Sequence, residues 1–290
     1  MGKQSYEIHL PDPLPLLTIA GSDSGGAAGL QADLKTWTAL GQNAVSVYGM
    51  SAVTAVTAQN SVRVAAINYL PPEFVGAQID AVLGDYGAAA IKTGFLGRVE
   101  IVEIVAERLA YWAGGGLPTR PTIVIDPVLV NHRGEAMFGP EVAAAYRELL
   151  FPLADLITPN RHEAAILLTE EEIERLGDWE IASISQSPNL LISSSRVLLK
   201  GLRRANEIVD VYWDGQERIE FARPFIATAN THGSGDTLSA AICAYRAQGY
   251  DWPDAIRRAG DFTHAAIGRG AGWRLGAGHG PLGHWGVSSG

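Results

Sequence analysis

Apolar residues fall in short clusters with two different periods. Leu14–Ala20 is a continuous apolar run of strand length, after which Leu30, Leu34, Trp37 and Leu40 recur at helical spacing until Gly41. Val45–Val47 and Ser51–Thr57 read as strand segments, and Pro71-Pro72 opens a helix through Phe74, Ile79, Val82 and Leu83. The alternation continues with a strand at Ala88–Lys92, a helix at Val99–Tyr111, a loop at Gly114–Gly116 and a strand at Thr122–Ile125. Glu141–Leu150 reads as helix, Asp155–Thr158 as strand, Glu163–Leu168 as helix and Val197–Lys200 as strand. Ile208–Trp213 and Arg218–Phe221 flank Asp214-Gly215 as a hairpin. Leu238, Ala241, Ile242 and Tyr245 then mark a further helix. Glu170–Ser195 has no readable period, and Gly270–Gly290 reads as a terminal loop.

Regular strand–helix alternation with a late antiparallel pair predicts an α/β fold of three layers, a mostly parallel central sheet with helices on both faces. No internal repeat or linker divides the chain. The expected organisation is an N-terminal tail over residues 1–13 and one domain over 14–290.

The 290 residues are 47% hydrophobic, enough for a sizeable core, and the net charge of −9 argues against non-specific nucleic-acid or anionic-membrane binding. Cys243, the single cysteine, excludes an intramolecular disulfide and sits in an apolar helical pattern that favours burial. No apolar run approaches a membrane span, so the cytoplasm is the expected location.

Chemistry concentrates at Asn230-Thr231-His232-Gly233-Ser234-Gly235-Asp236-Thr237. A glycine-rich turn opening onto a helix directs free N–H groups and the positive end of the helix dipole at one place, where an anion can be cradled by Gly233, Ser234 and Gly235. A carboxylate there, Asp236, can take the proton of a hydroxyl that attacks a bound phosphate. The same residues can also be a simple capped helix start. Asn160 and Glu163, three apart after a strand, present two oxygens to magnesium-bound water or phosphate, although a capping box has this spacing too. Asp126-Pro127 ends a strand at the carboxyl edge where open α/β sheets bind ligands. The loop Gly21–Gly29 matches neither the P-loop nor the dinucleotide fingerprint.

Gly21-Ser22-Asp23-Ser24-Gly25-Gly26-Ala27-Ala28-Gly29-Leu30-Gln31-Ala32-Asp33, Thr158-Pro159-Asn160-Arg161-His162-Glu163-Ala164 and Thr231-His232-Gly233-Ser234-Gly235, in this order, resemble the ribokinase-like superfamily. The chain is most similar to its hydroxymethylpyrimidine/phosphomethylpyrimidine kinases of thiamine biosynthesis, with vitamin B6 kinases nearby. The resemblance runs from about Leu16 to about Trp285 and implies an ATP- and magnesium-dependent kinase of a small pyrimidine, a homodimer, and a second phosphorylation of the monophosphate.

It further implies that Gly21 and Asp33 touch the pyrimidine's polar edge, that Gln59 reads its ring nitrogen and amine, and that Phe95 and Val128 line the ring pocket. Asp126 then acts near the phosphates or magnesium with Glu163, while Asn160, Lys200 and Thr231 face ATP. The chain departs from the pattern at four places. Phe95 stands where Met is usual, Gly201-Leu202-Arg203-Arg204 replaces a Gly-Gly-His continuation, about five residues around Gln42–Ser46 are extra, and Asp236 occupies a position where pyrimidine kinases commonly have Cys. Rival readings are a pyridoxal or sugar kinase and a noncatalytic pyrimidine sensor.

Overall fold

The computed structural model describes residues 12–41, 46–131, 134–167 and 196–285. Residues 1–11 of the expected tail, Val45, Leu168, Glu170–Ser195 and the last five residues lie outside them.

Five apolar segments, β1 (Leu14–Ser22), β4 (Ala90–Thr93), β5 (Thr122–Ile125), β6 (Leu156–Ile157) and β7 (Arg196–Arg204), form the parallel centre of a nine-stranded sheet. β2 (Val47–Gln59) pairs parallel with β1 and carries β3 (Val64–Tyr69) antiparallel at one margin. At the other margin β8 (Glu207–Trp213) pairs antiparallel with β7, and β9 (Arg218–Pro224) antiparallel with β8. The order is β3-β2-β1-β4-β5-β6-β7-β8-β9.

Because successive strand residues point to opposite faces, each neighbouring pair in the centre feeds two cores. Leu17, Ile91, Ile123, Ile157 and Val197 face one side, where they pack with α2 (Pro72–Asp85), α3 (Val99–Tyr111) and α4 (Pro140–Ala145). Leu16, Ala90, Val124, Leu156 and Leu198 face the other, against α1 (Gly29–Gly41), α6 (Ser234–Ala247) and α7 (Trp252–Gly270). A short α5 (Arg161–Leu167) follows β6. Each buried Leu or Ile contributes about 1.5–3 kcal/mol, so both layers are held mainly by these rows. Trp37 of α1 is buried and donates its indole N–H to the Ala240 carbonyl of α6 at 2.8 Å.

The three layers are those read from the sequence, with five differences. The two pieces expected around Val45–Val47 and Ser51–Thr57 are one strand, β2. β3 carries no sequence signal, since Val64-Ala65-Ala66-Ile67-Asn68-Tyr69 does not alternate and is mostly exposed. Glu141–Leu150 is α4 continued by a π-helical turn at Tyr146–Leu150. β7 runs four residues past Lys200, its ladder with β8 shifting between Leu199 and Leu202. α7 is a 19-residue helix, capped by Asp251 accepting the Asp254 N–H, and it ends where the glycine-rich tail begins.

Candidate active site

The loops at the carboxyl ends of β1, β4, β5 and β6 meet the start of α6 around one cavity of about 920 Å³, within the range of small-molecule sites. Thirteen of the fourteen residues singled out in the sequence line it. Gly21, Gln59, Phe95 and Val128 lie on its wall, Thr231, Gly233, Ser234, Gly235 and Asp236 come from the turn into α6, and Asp126, Asn160, Glu163 and Lys200 come from the strand ends beside it.

Asp33 is the exception. It is fully buried in α1, and its carboxylate accepts from Thr18 Oγ1 at 2.6 Å and from Lys92 Nζ at 2.7 Å. Both oxygens are therefore engaged, and Asp33 is not among the residues that line the cavity.

The turn into α6 has the open helix start that an anion cradle requires. Gly233 is left-handed at φ 84°, and no side chain caps the helix. Ser234 is a partial correction, because its N–H already donates to the Thr231 carbonyl at 3.1 Å. Opposite this turn, Asp23 braces the loop after β1 by accepting N–H groups of Gly25, Ala27 and Ala28 at 2.7, 2.9 and 3.0 Å. The two loops touch closely enough that a methyl group on Gly233 would overlap the Ala27 carbonyl oxygen.

Asp236 stands in the first turn of α6, its side chain 14% exposed. Burial pushes its carboxyl upward, but Lys92 at 2.9 Å, the Gly29 N–H and Lys200 together outweigh burial and hold it below the usual carboxylate range. A buried carboxylate kept ionised at the edge of a cavity can accept a proton.

Asn160 and Glu163 form a reciprocal capping box, the Asn160 N–H donating to Glu163 Oε2 at 2.8 Å and the Glu163 N–H to Asn160 Oδ1 at 3.0 Å. The capping reading of this pair is thus observed, and both residues also line the cavity. Burial, reinforced by Asp126 and only partly offset by Lys200, pushes Glu163 up to about 7. Lys200 lies 2.5 Å from Asp126, whose second oxygen accepts from Ser239 Oγ at 3.1 Å. Burial pulls the Lys200 ammonium down, and the attraction of Asp126 and Glu163 reverses this, leaving it above the usual lysine range.

No group of three or more metal-ligating side chains occurs among the described residues. Magnesium at a phosphate site takes one or two carboxylates and completes its shell with water and phosphate oxygens, and Asp126 and Glu163 are hard oxygen donors of that kind.

Phe95 stacks on Tyr69 with centroids 6.1 Å apart and tilts onto Phe138 at 5.6 Å, so it is both an aromatic-cluster member and a wall residue. Gln59 Nε2 donates to His232 Nε2 at 3.0 Å.

Four further groups escaped the sequence reading. His232 stood inside the glycine-rich turn without an assigned role, and Asp23 within the loop it organises. Lys92 had a signal, a lone charge in an apolar strand of which all four residues are buried. Arg223, Ile226, Thr263, His264 and Ile267 line the far end of the cavity from β9, the segment after it and α7, and a reading without α7 could not bring them together.

A family model described as phosphomethylpyrimidine kinase matches residues 23–283. The hydroxymethylpyrimidine/phosphomethylpyrimidine kinase of Rhizobium meliloti is 40% identical over 270 residues, covering 93% of this chain and 96% of that protein. The chloroplastic thiamine biosynthetic bifunctional enzyme of Arabidopsis thaliana is also 40% identical, over 93% of this chain; the chain spans 50% of that longer protein. A structure of the Staphylococcus aureus pyridoxal kinase in complex with AMP-PCP superposes with a TM-score of 0.79 at 29% identity, covering 94% of each chain.

Proposed function

Since the chain belongs to the phosphomethylpyrimidine kinase family, we propose that it transfers the γ-phosphoryl group of ATP to the hydroxymethyl group of 4-amino-5-hydroxymethyl-2-methylpyrimidine, and then to the resulting monophosphate, in thiamine biosynthesis. The observation that carries the chemistry is the position of Asp236, ionised, at the start of an uncapped helix and on the wall of a cavity whose two ends differ in character. One end offers Gln59 and Phe95 to a flat polar ring. The other offers Lys200 and the capping box to phosphates.

In this reading the acceptor oxygen attacks the γ-phosphorus in line, its proton passes to an Asp236 oxygen, and the bond from phosphorus to the β–γ bridging oxygen breaks to release ADP. The remaining amides of the Gly233–Gly235 turn hold the charge that develops on the transferring group, a contribution of about 3 kcal/mol for such donors. Lys200 and Thr231 bind the phosphates, with Asn160 beside them. Magnesium bound through Glu163 and Asp126 would neutralise phosphate charge. Gly21 and Val128 complete the acceptor wall.

The reading includes one kinase domain from residue 14 onward, a homodimeric state and a cytoplasmic location. The continuous sheet supports the first. The dimer rests on resemblance and the location on the sequence; among the described residues, no helix is long and apolar enough to cross a membrane.

A coupled ADP-release assay with hydroxymethylpyrimidine, its monophosphate, pyridoxal and ribose tests the assignment. Turnover is expected with both pyrimidines. Preference for pyridoxal or ribose would overturn the acceptor, and no turnover with any acceptor would return the chain to a sensing role.

A further inference from the structure

Lys92 is fully buried at the carboxyl end of β4, and its ammonium is shared between two carboxylates, Asp33 Oδ1 at 2.7 Å and Asp236 Oδ1 at 2.9 Å. Thr18 Oγ1 holds the other oxygen of Asp33 at 2.6 Å. A continuous line of hydrogen bonds therefore runs from β1 through α1 and β4 to the first turn of α6. An ammonium taken out of water at this depth is tolerated only with close partners, and one of its two partners reaches the cavity while the other does not.

We propose that Lys92, held from behind by Asp33, is a positioning residue for phosphotransfer: it binds one oxygen of Asp236, keeps that carboxylate ionised, and leaves the second oxygen for the acceptor hydroxyl. The inference rests on Asp236 being the base. Three observations support it. The Asp236 carboxyl is buried and would gain a proton without a counter-charge. Lys92 Nζ meets Asp236 through Oδ1 at 2.9 Å, and the nearby Gly29 backbone N–H also favours the ionised carboxyl. Lys92 keeps its proton because the pull of Asp236 and Asp33 exceeds the opposing effect of burial.

Asp33 has a distinct part in this arrangement. Burial pushes it up to about 7, so acid discharges Asp33 first and leaves Lys92 committed to Asp236. While ionised, Asp33 draws part of the ammonium's charge away, and Asp236 remains basic enough to accept a proton. The other charged or titratable groups near the line are the Lys200–Asp126 pair from β7 and β5, Cys243 of α6, and His284, whose Nε2 meets Thr237 Oγ1 at 2.8 Å. None of these lies between Lys92 and its two carboxylates.

The test is the pH profile of kcat at saturating ATP, magnesium and hydroxymethylpyrimidine. Lys92→Met keeps most of the volume and removes the charge. Its acid limb is expected about one to three pH units above that of the unsubstituted enzyme, with kcat near neutrality at least about tenfold lower. Activity should recover in alkali, and both KM values should stay within about twofold. Asp33→Asn should instead lower the plateau of kcat by about three- to tenfold without moving the limb upward, because a more acidic Asp236 is a weaker base.

An acid limb that stays in place in Lys92→Met, whether kcat falls uniformly or only the melting temperature drops, overturns the proposal. If that variant does not fold, Asp33→Asn decides, and an unchanged kcat there is equally fatal. Asp236→Asn measured alongside separates the two readings. Retained turnover in Asp236→Asn removes the base itself, whereas lost turnover there with a native profile in Lys92→Met removes only the role of Lys92.

Discussion

The side-chain amide of Gln59 lies 3.0 Å from Nε2 of His232, across 173 residues of sequence. The contact ties the acceptor wall to the glycine-rich turn, and it leaves the amide oxygen of Gln59 as the group that can accept from an aminopyrimidine.

Gln59→Leu keeps approximate volume and removes both functions. An unmade hydrogen bond of this kind costs about 1–3 kcal/mol. kcat/KM for hydroxymethylpyrimidine should fall several-fold or more in steady-state assays, with the KM for ATP little changed. Equal losses on both substrates would place Gln59 with the nucleotide.

Asp236→Asn should lower kcat by about two to four powers of ten while calorimetric ATP affinity is kept. The helix start loses one favourable charge, worth about 0.3–1 kcal/mol, so the melting curve should shift only modestly. Turnover close to that of the parent chain would remove Asp236 as the base.

Glu163 titrates near neutrality because burial pushes it up to about 7. Magnesium binds the ionised carboxylate, so protons compete with it below that pH, and the magnesium needed for half-maximal activity should fall as pH rises from about 6 to about 8. Glu163→Gln should raise that requirement and flatten its pH dependence. An unaltered magnesium titration accompanied by a lower melting temperature would reduce Glu163 to its capping role.

Gly233→Ala places a side chain at φ 84° and against the Ala27 carbonyl. The left-handed conformation alone costs about 1–2 kcal/mol, and the displaced turn should lower kcat by about a hundredfold or more. Gly249→Ala is the control, since Gly249 has φ 90° with open space around it and lies outside the cavity. It should lose only the conformational part of that stability and keep its turnover, as paired melting and kinetic measurements will show.

Large apolar residues made most of this architecture legible. Leu30, Leu34, Trp37 and Leu40 give α1, and Thr122–Ile125 gives β5, because bulky Leu30, Trp37, Leu40 and Ile123–Ile125 are buried in them. α7 was missed although its buried stripe lies opposite a charged face, because that stripe, Ala255, Ala259, Gly260, Thr263 and Ala266 alongside Ile256, is made mostly of small residues. The candidate site was read through glycines and local spacing, which record backbone turns and caps well. Asp33 was expected at the pyrimidine edge by resemblance, and the partners that hold it off the cavity wall, Thr18 and Lys92, are 15 and 59 residues away. Local spacing carries no information about which side of a wall a carboxylate faces.

The bond from Trp37 to Ala240 sets an order of events during synthesis. The apolar face of α1 leaves the ribosome about two hundred residues before the helix that covers it. Until α6 has been made, Trp37 and Leu40 have no permanent neighbour on that side, and nascent chains carrying such surface are prone to associate. The helix that carries Asp236 is thus also the one that shields the earliest helix from solvent.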